Sequence, residues 1–130
     1  MAEKREDAQE GEPPAKRACS MSADEVMATI KPKKMLCLRY TYIEGMLEKR
    51  GPYRAEHIKK AKELEDDGLV FMAGAFNEPC DGAIFFFNAE RITKEEILAF
   101  AKADPYVVSG LVTKHDVCDY MAVVGTHIKE

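Results

Sequence analysis

Two apolar runs, LVFMAGAF (69–76) and GAIFFF (82–87), stand either side of the turn-forming cluster NEPCDG. Their length, their aromatic content and the Pro and Gly between them predict a β-hairpin. Side chains alternate across a strand, so Leu69, Phe71 and Ala73 are expected on one face and Val70 and Met72 on the other. Phe85 stands in the same relation to Ile84 and Phe86. Strands that are apolar on both faces are found where both faces are covered. That requirement restricts the fold more than any other feature of the chain, because it asks for two layers of cover around one sheet.

The flanking segments supply one of those layers. MLCLRYTY, from Met35, reads as a first strand. GPYRAEHIKKAKELEDDG places Pro52 near a helix start and Gly68 just past its end. After the hairpin, TKEE offers a capping box from Thr93 to Glu96 and opens a helix through Ala103. KHDVCDYMAVVG alternates as a last strand. The order β-α-β-β-α-β predicts an α+β, ferredoxin-like fold with an antiparallel sheet. Its two helices cover one face only. In a chain of 130 residues the simplest cover for the other is a second copy, so a homodimer with sheets packed face to face is expected.

Residues 1–34 differ from the rest. MAEKREDAQEGEPPAKRACS mixes charges of both signs with Pro, Gly and Ala and has no aromatic residue, so it is expected to remain a disordered tail. Within it, SADEVMATI could form a helical turn or two from a Ser22 cap. The domain is expected over 35–125, with 126–130 as a C-terminal tail. Net charge is −4 and the pI about 5.5, which gives no basic footprint for nucleic acid. The longest apolar run, Ala83 to Phe87, cannot span a bilayer, so no membrane partner is expected and a cytoplasmic location is the default. Lys16 and Arg17 are a weak pointer to the nucleus. The four cysteines, Cys19, Cys37, Cys80 and Cys118, are scattered without a Cys-x-x-Cys pair. They read as thiols in a reducing compartment, and no metal site is expected.

Of three histidines, His57 is best placed for chemistry. Ala61 and Leu64 at i+4 and i+7 keep it on the inward face of the first helix, near Arg54. His115 adjoins Asp116, but neighbours on a strand point to opposite faces. His127 lies in the C-terminal tail. In AFAKADPYVVSGLV, Asp104 ends the apolar stripe of Ile97, Phe100 and Ala101. Two readings remain open there. Asp104 and Pro105 fit an N-cap and first-turn proline for a short helix closed by Gly110. A carboxylate at this place also suits an acid–base site, with one oxygen capping while the other faces a pocket.

LEKRGPYRAEHIKKAKELEDDG, MAGAF, DGAIFFF, FAKADPYVVSGLV and YMAVVG together resemble the YCII-related family, small proteins with a dimeric α/β-barrel of ferredoxin-like units. The resemblance runs roughly from Lys34 to Gly125. Its most specific pieces are R-x-x-H (Arg54, His57), Ala-Gly (Ala73, Gly74) and Asp-Pro-Tyr (Asp104, Pro105, Tyr106). It implies a histidine–aspartate pair, mapping to His57 and Asp104, proposed for acid–base chemistry. One branch of the family removes HCl from a chlorinated hydroxyhydroquinone. The long N-terminal tail is not part of the family pattern.

The residues are compatible with that chemistry, since imidazole titrates near neutrality (about 6.5) and a neighbouring carboxylate orients the ring. His57 is expected as general base on a small polar or aromatic substrate, with Asp104 holding it or serving as acid for the leaving group. Arg54 would bind an oxyanion and Tyr106 donate a hydrogen bond or close the pocket. Gly74 would let a ligand or the helix approach the second strand. Elimination or isomerisation is the expected reaction class, without metal or organic cofactor. A non-catalytic dimeric binding or interaction domain is the alternative, and a cofactor-free oxygenase ranks below it.

Overall fold

The structure, a computed structural model, describes residues 20–128. The expected disordered run, with Lys16, Arg17 and Cys19, lies outside the described residues. The chain divides into two units, Met1–Lys31 and Pro32–Glu130. In the first, α1 (Ala23–Thr29) starts from Ser22, whose side chain accepts from the Glu25 N–H at 3.1 Å. The Glu25 carboxylate accepts from the Ser22 N–H at 2.9 Å, completing a capping box. The turn expected of SADEVMATI is therefore a formed helix.

The second unit runs β1 (Lys33–Tyr42), α2 (Met46–Lys49), α3 (Gly51–Asp66), β2 (Val70–Ala75), β3 (Gly82–Asn88), α4 (Lys94–Ala103), α5 (Pro105–Val108) and β4 (Val112–Ala122). The four strands form one antiparallel sheet in the order β2-β3-β1-β4, the ferredoxin-like arrangement. β1 starts at Lys33, which pairs with Ala122, two residues before the expected boundary. A short 3-10 turn, Thr126–Ile128, lies in the segment expected as a tail. Among the described residues no helix is long and apolar enough to cross a membrane.

Local chemistry explains where the elements stop. At the end of α3 the Gly68 N–H bonds the Glu65 carbonyl and the Leu69 N–H bonds the Leu64 carbonyl, both at 2.9 Å. This closure needs a left-handed residue, and Gly68 has φ +75°. The same pattern ends α5, with Gly110 at φ +85° and Leu111 N–H bonded to the Tyr106 carbonyl at 2.9 Å. α4 opens on the expected box, in which Thr93 Oγ1 accepts from the Glu96 N–H at 3.2 Å.

The core lies between the helices and one face of the sheet. Leu38, Tyr40 and Tyr42 of β1, Phe85 and Phe87 of β3, and Ile97 and Ala101 of α4 are buried there. The opposite face carries Cys37, Ile84, Phe86, Met72 and Tyr120, with Met72 at 52% and Tyr120 at 46% exposure. Two details of the expected alternation fail: Val70, expected on the face of Met72, pairs with the inward Phe87 and packs against the core, and Phe71 leaves the helix side. Pairing shifts between Val70 and Met72, so Phe71 and Met72 together stand opposite Phe86. This β-bulge turns Phe71 to the open face, where Lys33 Nζ sits 5.6 Å from its ring centre. Leu69 and Ala73 remain on the helix side.

Candidate active site

Three elements meet at Asp104. α4 ends at this residue and α5 begins from it, so its side chain caps α5 by accepting from the Tyr106 N–H at 3.0 Å. β1 brings the Tyr40 hydroxyl, which donates to Oδ2 at 2.6 Å. α3 brings His57, whose Nδ1 lies 2.8 Å from Oδ1 and 3.0 Å from Oδ2. Asp104 is 0% exposed and His57 7%. A buried carboxylate persists only when paired and hydrogen-bonded, and these three groups satisfy it. Burial, and then the Asp104 charge, push the Tyr40 phenol far above its ordinary value, so it remains a donor.

The imidazole is fixed on its faces as well as its edge. The Tyr106 ring stacks on it at 3.8 Å with the planes 9° apart, and Phe85 meets it edge-on at 6.2 Å. With Asp104 ionised, Nδ1 carries the proton and donates, which leaves Nε2 bare in the neutral ring. This tautomer is assigned from the hydrogen-bond network.

His57 looks into a pocket of about 240 Å³ between α3 and the β2 edge of the sheet. Arg54 and Tyr106 line it, as expected, together with Arg50 and Tyr42. Asp104 does not line it. Both of its oxygens are engaged by Tyr40, His57 and the Tyr106 N–H, so the role of acid toward a leaving group is not open to it. The cap and the pairing with His57 are one arrangement, with no oxygen left over for the pocket. Gly74 lines the pocket, but a Cβ there would meet nothing within 4 Å, so the approach of a helix does not require glycine.

His115 takes no part in this arrangement. It pairs with Tyr40 across β1 and β4 and packs edge-on against that ring at 6.3 Å. Asp116 turns to the other face, where Arg39 binds it through two contacts of 2.9 and 3.0 Å. Cys37 and Cys118 stand opposite each other on that face, and burial, then the neighbouring Cys118, push the Cys37 thiol up to about 11. Among the described residues no three His, Cys, Asp or Glu side chains converge as metal ligands.

Sequence reasoning missed three residues, Tyr40, Tyr42 and Arg50. Tyr40 alternates with Leu38 and Tyr42 on the inward face of β1, and a buried tyrosine requires a partner for its hydroxyl. Arg50 stands one helical turn before Arg54, a spacing visible in the sequence.

A ferredoxin-like sheet with a buried carboxylate locking a pocket-facing imidazole defines a class: small α+β proteins built around a His–Asp pair. Residues 34–120, more than half of the chain, match the YCII-related domain, and the chain belongs to the YCII-related family. No curated protein sequence matches it. Among solved structures it is similar to 5-chloro-2-hydroxyhydroquinone dehydrochlorinase (TftG) from Burkholderia phenoliruptrix AC1100, in complex with 2,5-dihydroxybenzoquinone. The TM-score is 0.55 at 18% identity, covering 65% of this chain and 90% of that one. At that identity the likeness shows the fold.

Proposed function

We propose that this protein is a small-molecule acid–base enzyme of the elimination or isomerisation type, dehydrochlorinase-like, with His57 as its general base. One observation carries the reading: Nδ1 of His57 is locked on a fully buried carboxylate while the ring borders a pocket. A base is effective when its free nitrogen is presented in one orientation and one tautomer. In the proposed step Nε2 takes a proton from an acidic C–H or O–H of the substrate. The electron pair left behind forms a new π bond, and a leaving group departs with its own pair. For isomerisation the imidazolium instead returns the proton to a second carbon.

Asp104 is a positioning residue, holding the tautomer and stabilising the imidazolium as it forms. Tyr106 clamps the ring and borders the pocket, and Arg54 supplies positive charge for a substrate oxyanion. No metal or organic cofactor is part of this scheme. The working form is proposed to be a homodimer, the open sheet face with Met72, Phe86 and Tyr120 being its apolar surface.

The test compares wild type, His57→Gln and Asp104→Asn for turnover across halogenated phenols, quinols and lactones, with circular dichroism confirming the fold. Loss of turnover in both variants supports the reading. Equal turnover by folded variants overturns it, and binding without turnover by any form favours a binding module. Size-exclusion chromatography with light scattering checks the dimer, and a monomer at micromolar concentration would contradict it.

A further inference from the structure

The pocket end of α3 carries more than an imidazole: Arg50 is half-buried and Arg54 exposed. Arg50 at its N-cap and Arg54 one turn later border the same pocket as His57. Among the described residues the ion pairs are Lys33–Glu90, Arg39–Asp116, Lys59–Glu63, Lys62 with Glu65 and Asp66, and His57–Asp104. None engages either guanidinium. Two cations one turn apart, facing one pocket without a carboxylate, form a concentration of positive charge that nothing described in the fold neutralises.

An independent observation concerns the phenols. Tyr42 is 7% exposed and Tyr106 2%, and both border the pocket. Tyr40, equally buried, gives its proton to Asp104. Among the described residues neither the Tyr42 nor the Tyr106 hydroxyl has such a partner, as the side-chain bonds around them run through Asp104 and the Tyr106 backbone. A buried hydroxyl without a partner is unfavourable, and a ligand oxygen would satisfy it. Burial pushes both phenols up, and Arg50 and Arg54 pull Tyr106 back down, which places both guanidiniums within electrostatic reach of its hydroxyl. At neutral pH both phenols are donors.

We propose that the pocket takes a small monocyclic carboxylate, its carboxylate held by Arg50, Arg54 and the hydroxyls of Tyr42 and Tyr106, with its reacting atom against His57. This deepens the acid–base reading and rests on it for the role of His57. Planar guanidinium forks match a carboxylate edge to edge. A dry cavity of about 150 Å³ admits benzene, so about 240 Å³ suits one substituted ring. Along the helix Arg54 precedes His57 by about 4.5 Å and Arg50 by about 10 Å, at about 1.5 Å per residue. Both arginines thus stand at the N-terminal end of α3, ahead of the imidazole, and line one pocket with it.

The experiment measures binding of 4-hydroxybenzoate and of its neutral isostere 4-hydroxybenzamide to the full chain, by calorimetry or ligand-observed NMR. The benzoate is expected to bind at least about tenfold tighter, the ratio one charge-assisted contact supplies. Arg50→Gln and Arg54→Gln should each remove about a tenfold preference, and Tyr42→Phe and Tyr106→Phe severalfold. Lys59→Gln, which removes a cation outside the pocket, should leave it unchanged. His57→Gln should retain the preference while losing turnover. If His57→Gln turns over normally, the acid–base reading fails and the carboxylate site stands on its binding data. Equal affinity for the two probes, an unchanged preference in both arginine variants, or no benzoate binding at millimolar concentration overturns the proposal.

Discussion

Replacing Tyr40 by Phe isolates a single interaction. The ring stays, and with it the packing on Phe85 at 5.5 Å, His115 at 6.3 Å and Tyr42 at 6.4 Å, so no cavity opens. What disappears is the 2.6 Å donor to Asp104 Oδ2. A hydrogen bond to a charged group contributes about 1.5–3 kcal/mol, and here its loss leaves a buried carboxylate short of one donor. For a domain of this size about 1 kcal/mol moves the melting point by roughly 4–8 °C, so Tyr40→Phe should melt roughly 6–24 °C lower at pH 7. The pH dependence adds a second signature. Because burial and Asp104 hold the folded phenol above its ordinary value, the stabilisation is complete below the unfolded value, near 10. Above that pH the unfolded phenol ionises and the folded one does not, so wild type loses about 1.4 kcal/mol per pH unit that the variant does not lose. Melting curves of both proteins from pH 7 to 11.5 should converge at the alkaline end. A variant melting within about 2 °C of wild type at pH 7, or a gap that persists to pH 11.5, would refute the reasoning.

Other expectations follow from the same geometry. His57→Gln should reduce turnover by about 10²–10⁴-fold, the usual contribution of a general base, in a steady-state assay on any substrate found. Asp104→Asn keeps an oxygen to cap α5 but presents an N–H to the imidazole, so Nδ1 becomes the acceptor and Nε2 carries the proton. Turnover should fall by about 10²–10⁴-fold, as for other orienting carboxylates, with the helix content retained by circular dichroism. Asp104→Ala leaves three buried donors without a partner and should cost about 3 kcal/mol or more, seen as a lower urea midpoint than that of Asp104→Asn. Gly82→Ala would put a Cβ 2.7 Å from the Tyr40 carbonyl, so it should be clearly less stable in thermal melts, whereas Gly74→Ala meets nothing within 4 Å and should leave the monomer's stability unchanged.

The element order was legible because periodicity and capping are local. Thr93 with Glu96, Pro52 with Gly68, and Asp104-Pro105 with Gly110 mark their boundaries within a few residues, and all three are formed. Features set by register were not. The bulge that moves Phe71 to the open face depends on how β2 pairs with β3. Tyr40 reaches Asp104 across 64 residues, and no local pattern states which inward tyrosine of β1 will meet the helix junction. Cys37 and Cys118 look scattered in sequence and stand opposite each other only once β1 and β4 pair. α2 has four residues and begins after Gly45 at φ +76°, too short for periodicity to reveal. His57 and Asp104 could be singled out, but that Asp104 keeps no oxygen for the pocket required the three donors to be seen together.

The side chain of Asp104 does two jobs with one pair of oxygens. It starts a helix and seals the core, and it also aims the imidazole. Substitutions that erase the chemistry here weaken the fold as well, so selection for a folded chain alone would keep this aspartate in place. Arg50, Arg54 and the two pocket hydroxyls have no comparable structural duty among the described contacts. In a lineage that had abandoned its substrate those four groups would drift first and the aspartate last. The arginines and phenols, more than the His–Asp pair, are therefore where a working pocket and an inherited one would differ.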